Sequence, residues 1–213
     1  MDRLGAAWEI VALTLPAAIS RFDRGDRLPV EMSTSPGWTI CESPIGPLMV
    51  VAGPKGITNI HFSGHSPRLS EAARLPLRDV VEQLEAYFAG ERQTFELDLD
   101  LRGTPFQEEV WRQLIEIPYG TTTTYGEVAG RVDESLYAPD LEPYGRPRAV
   151  GAAIGRNPVP VVVACHRVIG ADGSLTGYYG GLQRKRTLLE LEGGDAAGRG
   201  SDPASEKHQL ALL

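Results

Sequence analysis

The chain has 213 residues, 42% of them hydrophobic and 23% charged, which is enough apolar sequence for one large or two small packed domains. Those proportions exclude a disordered, collagenous or coiled-coil protein. With 21 Lys and Arg against 28 Asp and Glu, the formal charge of −7 excludes attachment to nucleic acid by bulk charge alone, while leaving room for a local basic face.

Residues 1 to 36 carry no turn-bounded pattern and contain a second methionine, Met32, so they are expected to be an extension, poorly ordered or absent from the native protein. Their longest apolar run, Ile10 to Ile19, is short of the roughly 18 residues a membrane span needs, and Pro16 makes it a poor signal peptide. Three β-branched runs follow, Trp38 to Cys41, Leu48 to Ala52 and Ile57 to Phe62, separated by Pro/Gly turns; they predict an antiparallel meander. Pro76 to Gly90 places Val80, Val81, Leu84, Tyr87 and Phe88 on one helical face. Phe95 to Leu101 alternates perfectly, as a half-buried strand or an extended linker does. These elements predict a small α/β domain over residues 37–102.

Residues 103–193 read as a second, mostly helical domain. Thr104-Pro-Phe-Gln107 and Thr124-Tyr-Gly-Glu127 are capping boxes, each opening a helix. Ser135 to Gly145 is rich in Pro and without apolar period, which predicts a mobile surface loop that can be shortened without loss of the fold. Arg148 to Ile154 is a small-residue helix, and two short helices around a turn are what a helix-turn-helix reader of DNA uses, although helical hairpins are also common in proteins that bind nothing. Val159 to Val163 reads as a buried strand delivering Cys165 at its end. A helix from Gln183 to Leu191 closes the domain, and 194–213 reads as a flexible tail.

Two cysteines, Cys41 and Cys165, are too few for a disulfide framework and too distant for a zinc knuckle, and His61 and His65 lack cysteine partners. The expectation is a reduced, cytoplasmic chain with no metal and no membrane association. Cys41 reads as packing. Cys165 lies before a Gly-rich segment, and seven cations between Tyr144 and Leu189 face the single acid Asp172. Such a field favours thiolate over thiol and attracts an anionic ligand such as phosphate. His166 is adjacent to Cys165, so in an extended segment the two point to opposite faces and a thiol-protease dyad is disfavoured. Activation would run through a water, with a carboxylate such as Glu192 on the far ring nitrogen. The plain alternatives are that His166 fixes a carbonyl, that Glu192 is a solvated helix end, that Asn157-Pro158 is a turn, and that Tyr125 is core or rim. Arg148, beside Ala149 and Gly151, is the arginine whose small neighbours let a phosphate chain approach.

The strings Asn157-Pro-Val-Pro-Val-Val-Val-Ala-Cys-His-Arg-Val-Ile-Gly170, Thr176-Gly-Tyr-Tyr-Gly-Gly181, Pro118-Tyr-Gly-Thr-Thr-Thr-Thr-Tyr125, Ser43-Pro-Ile-Gly-Pro-Leu48 and Phe106-Gln-Glu-Glu-Val-Trp111 resemble the O6-alkylguanine-DNA alkyltransferase family. The resemblance spans about 37–193. It implies an α/β protein with a ribonuclease-H-like N-terminal sheet domain and a winged-helix-like C-terminal DNA-binding domain. It further implies a monomer that acts once, without cofactor, moving an alkyl group from guanine O6, or thymine O4, in double-stranded DNA onto its own cysteine. On that pattern Cys165 is the acceptor, His166 and Glu192 its water-bridged relay, and Asn157 the hinge under the site. Tyr125 holds the flipped base and its phosphate, Arg148 replaces that base in the stack, and Val168 and Tyr178 are pocket wall and lid. The chain departs from the family in Ala164, where the family has proline, in the long 131–145 connection, and in Pro147, which predicts a recognition helix starting late. A lesion sensor with weak or no transfer is the competing reading, and a cysteine hydrolase a third.

Overall fold

The computed structural model describes residues 36–63, 67 and 69–193. The expectations for the N-terminal extension, for His65 and for the tail lie outside the described residues.

Three antiparallel strands, β1 (Gly37–Cys41), β2 (Leu48–Gly53) and β3 (Gly56–Phe62), form the predicted meander in that order. β2 is buried along its whole length because both sheet faces are covered: Leu48 and Val50 join the main core, while Met49 and Val51 pack with Trp38. Helix α1 (Arg78–Phe88) covers the core face with Val80, Leu84 and Tyr87. The alternating segment 95–101 forms no ladder. It is an extended strip touching the sheet at one point, where the Ile57 amide donates to the Asp98 carbonyl (2.8 Å) and the Asp100 amide to the Ile57 carbonyl (2.9 Å). Of the two forms its pattern allowed, it takes the linker.

Helix α2 (Pro105–Ile115) and helix α3 (Tyr125–Arg131) both start at complete capping boxes, on Thr104/Gln107 and Thr124/Glu127. α2 lies against helix α4 (Arg146–Ile154), with the Trp111 indole donating to the Ala153 carbonyl at 2.9 Å. A two-residue parallel pairing of β4 (Thr123–Thr124) with β5 (Val168–Ile169) ties the start of α3 to the segment after Cys165. Helix α5 (Leu182–Leu191) ends at Glu192.

Two expectations fail here. Residues 135–145 are not a mobile appendage: Tyr137 is only 7% exposed, stacks edge-on to Phe106 (5.2 Å) and donates its hydroxyl to the Ala129 carbonyl (2.9 Å). A Pro-rich run without period can still carry one anchor, and the Arg146–Glu134 ion pair with Arg146 lying 4.9 Å over the Tyr137 ring holds it further. Nor is Val159–Val163 a strand. The Asn157 side chain spans it, accepting from the Val159 amide (3.0 Å) and donating to the Val163 carbonyl (2.8 Å), so the run folds into a tight loop with Val161 at φ +76°. A left-handed β-branched residue is strained, and full burial of Val161 holds it there.

Candidate active site

Cys165 opens a single 3-10 turn, Cys165–Arg167, directly after that loop. Ala164 takes φ −74° and ψ 55°, and the Cys165 amide donates to the Val163 carbonyl at 2.7 Å, which is an inverse γ-turn. That φ is the one proline would impose, so the missing proline does not loosen the approach. The turn also replaces the extended geometry expected at Cys165 and His166. The His166 ring is held on Glu192, its Nε2 lying 2.9 Å from Oε1.

Glu192, at the C-cap of α5, is where the site converges. Its Oε1 also accepts from the Tyr87 hydroxyl (2.7 Å) and from Arg167 Nη2 (2.8 Å), and its Oε2 accepts from Arg167 Nε (2.9 Å) and the Gly120 amide (3.2 Å). Burial pushes this carboxyl up, but the hydrogen bonds and charges of His166 and Arg167 outweigh it and hold Glu192 well below the usual carboxylate range. An ionised carboxylate only accepts, so His166 Nε2 carries the proton. The lone pair therefore sits on Nδ1, which is buried and has no hydrogen-bond partner on the described residues. Burial also lowers the His166 pKa below its ordinary 6.5, against the pull of Glu192, so the ring is a neutral base at pH 7.

Three of the seven cations expected around the thiol are engaged elsewhere. Arg167 is forked onto Glu192 and donates to the Ile117 carbonyl; Arg146 pairs with Glu134; Arg184 donates to the carbonyls of Ile45 (2.7 Å) and Gly180 (2.8 Å). Lys185 is the cation whose charge reaches Cys165. It is fully buried, donating to the carbonyls of Val168 (2.5 Å) and Thr176 (2.8 Å), and burial depresses it to about 8. For Cys165, burial prevails over the Asn157 hydrogen bond and the Lys185 charge and raises the thiol to about 11. The resting group is a thiol, which corrects the expected thiolate.

Around it stand the other predicted residues. Val168 is fully buried in β5, and Tyr178 is buried with its hydroxyl unpartnered among the described residues. Tyr178 rests on Phe62 of β3, ring centres 5.8 Å apart. Tyr125, at the first turn of α3, donates to the Thr176 carbonyl (3.0 Å), and its ring lies about where a side chain on Gly151 would point. Both tyrosines stand close enough to Cys165 that a negative charge on its sulfur would push their hydroxyls further up. Arg148 is exposed on α4, with Ala149 half-buried behind it. Sequence reasoning did not single out Tyr87, Arg167 or Lys185 by role. Tyr87 lies 105 residues from Glu192, so no local pattern joins them; a cation within three residues of Cys165 and another on the helix preceding Glu192 were the only signals for Arg167 and Lys185.

Comparison with known proteins agrees with this arrangement. The model of the 6-O-methylguanine DNA methyltransferase ribonuclease-like domain matches residues 37–101, and that of the DNA binding domain of the same family matches 105–194. The chain is 48% identical over 155 residues to the methylated-DNA--protein-cysteine methyltransferase of Mycobacterium tuberculosis, covering 71% of this chain and 88% of that protein. It is 42% identical over 163 residues to the protein of the same name from Methanosarcina barkeri, covering 73% and 96%. The crystal structure of Mycobacterium tuberculosis OGT in complex with DNA superposes with a TM-score of 0.65 at 43% identity, covering 76% of this chain and 97% of that one. A buried cysteine beside a His–Glu pair on a DNA-binding domain is thus set in a known frame: the chain belongs to the 6-O-methylguanine DNA methyltransferase family.

Proposed function

We propose that the protein repairs double-stranded DNA by moving an alkyl group from guanine O6, and from thymine O4, onto Cys165 in one irreversible event. The observation that carries this reading is the unpartnered Nδ1 of His166 behind a buried thiol, its other nitrogen committed to an ionised Glu192. His166 Nδ1 takes the thiol proton through a bridging water, and Glu192 stabilises the imidazolium that forms. The sulfur attacks the alkyl carbon in line; the carbon–O6 bond breaks, its electron pair leaves on the guanine, and a proton returns so that neutral guanine departs. The product thioether is not a leaving group, so each molecule acts once and needs no cofactor.

Asn157 pins both ends of the loop that presents Cys165, and Tyr125, Val168 and Tyr178 line the space for an extruded base. Arg148 reaches from α4 into the gap that the base leaves, and Ala149 and Gly151 admit the DNA backbone. One copy of the chain suffices for one lesion. Incubation with duplex DNA carrying O6-methylguanine, followed by intact mass, tests the reading. One added methyl on Cys165 without further turnover is expected; unchanged mass with tight lesion binding points to a sensor, and continuous product release to a hydrolase.

A further inference from the structure

We infer that Tyr144 is a second contact to duplex DNA, set on the edge of α4 by the anchored 132–145 segment; this rests on the function proposed above. Tyr144 is 84% exposed, the largest exposure among the big apolar side chains of the described residues. The 3-10 turn Pro143–Gly145 runs into α4 without a break: Gly145 and Arg146 both have right-handed helical dihedrals, and the Arg146 amide donates back to the Pro143 carbonyl. Tyr144 and Arg148 are therefore four residues apart on one helical stretch, one above the other on the same face. Ala152 continues that exposed row, while Val150, Ala153 and Ile154 face the core. The rise between Tyr144 and Arg148 is about 6 Å, close to two base-pair steps of about 3.4 Å.

The ring is held there by a rigid base. Tyr137 is buried under Phe106 and bonded to the Ala129 carbonyl, Arg146 is clamped between Glu134 and the Tyr137 ring, and the Leu141 side chain fills the place a side chain on Gly145 would take. An anchored segment that ends in an exposed aromatic presents it at low entropy cost on binding. Charge does not explain the contact, because Asp140 and Glu142 on the same segment are exposed and repel phosphate. The ring itself must supply the attraction, by packing on a sugar or base edge of the strand next to the gap filled by Arg148.

Binding of the full chain to an O6-methylguanine duplex, titrated by fluorescence anisotropy at several salt concentrations, tests this, with transfer to free O6-alkylated guanine base as the control for the acceptor site. Tyr144→Ala is expected to weaken duplex binding roughly fivefold to tenfold, the lower range for one aromatic contact. Its salt slope should stay unchanged because no phosphate charge is lost, the free-base rate should equal that of the wild type, and Tyr144→Phe should bind normally. Equal or tighter duplex binding by Tyr144→Ala, a shallower salt slope, or a Tyr144→Phe defect as large as that of Tyr144→Ala would each overturn the ring contact. Absence of methyl transfer by the wild type would instead defeat the proposed function, so the two failures are distinguishable.

Discussion

Glu192 accepts five hydrogen bonds from Tyr87, Gly120, His166 and Arg167, and every side chain among those partners is buried; Arg148, on α4 of the same domain, is exposed and its side chain has no hydrogen bond or ion pair within the described residues. The floor of the candidate site is over-determined, and the face that carries Arg148 is left open. Under the proposed function, the difference follows from what each must do. A proton relay has to keep one tautomer and one geometry whether or not DNA is present, so its groups are locked by mutual pairing. A side chain that fills a gap in a base stack finds its partner only in the duplex, so pairing it within the protein would compete with its task. The floor is also shared between the two halves of the chain, through Tyr87 from α1 and through the Ile60 amide of β3, which donates to the Pro158 carbonyl at 2.8 Å. The exposed face of α4 belongs to the second half alone.

Variants can break this contrast, beginning where the effect is greatest. Cys165→Ala should abolish transfer from duplex and free base alike while still binding lesion DNA in an anisotropy titration. Glu192→Gln removes the acceptor charge from both His166 and Arg167; free-base transfer should slow about 10² to 10⁴-fold, and leaving Arg167 buried without its counter-charge should cost about 3–5 kcal/mol in denaturant unfolding. Arg148→Ala should do the opposite: transfer from duplex slows by a factor matching a few kcal/mol of lost support for base flipping, while free-base transfer is spared and stability stays within about 0.5 kcal/mol. Equal loss on both substrates would move Arg148 into the floor and erase the contrast.

Smaller effects sharpen it. The pKa values of His166 and Glu192 are both depressed on folding, so the stability each gives is complete above its ordinary value and is lost as pH falls through the depressed one. Free-base transfer should therefore hold level from pH 8 down past 6.5 and fail only where Nδ1 protonates; a fall centred at 6.5 in a stopped-flow profile would show that the ring is not shielded. Cys165 and Cys41, each raised to about 11, give the opposite limb, with stability complete below about 9 and lost as pH rises toward 11. Least of all, Ala164→Pro should raise stability by about 0.4–1 kcal/mol in chemical denaturation, because the backbone already holds proline's φ, with transfer unchanged.

Much of the frame was legible in the residues. The capping boxes at Thr104 and Thr124 and the three strand runs are local signals, and they carried through because nothing distant opposes them. Val159–Val163 misled because a short apolar run has the same composition whether it extends or turns, and the turn comes from Asn157 bonding both ends and from the buried site that tolerates Val161. Residues 135–145 misled because one buried Tyr137 outweighs a loop-like composition. The charge count around Cys165 misled because formal charge is read along the chain while its effect is set by partners, and Glu192 and Glu134 take up two of the arginines.

Sequence alone determined the three-stranded meander, the capped helices and the two-part organisation, and it singled out Cys165 as the candidate acceptor, since these rest on local periodicity, caps and a motif contiguous around Cys165. Tertiary structure alone decided the chemical state of Cys165. Burial makes it a resting thiol, His166 and Arg167 hold Glu192 ionised, and that anion assigns the His166 proton to Nε2 and leaves the lone pair on Nδ1. Protonation state depends on desolvation and on groups brought together across the fold, and neither quantity exists until the chain has folded.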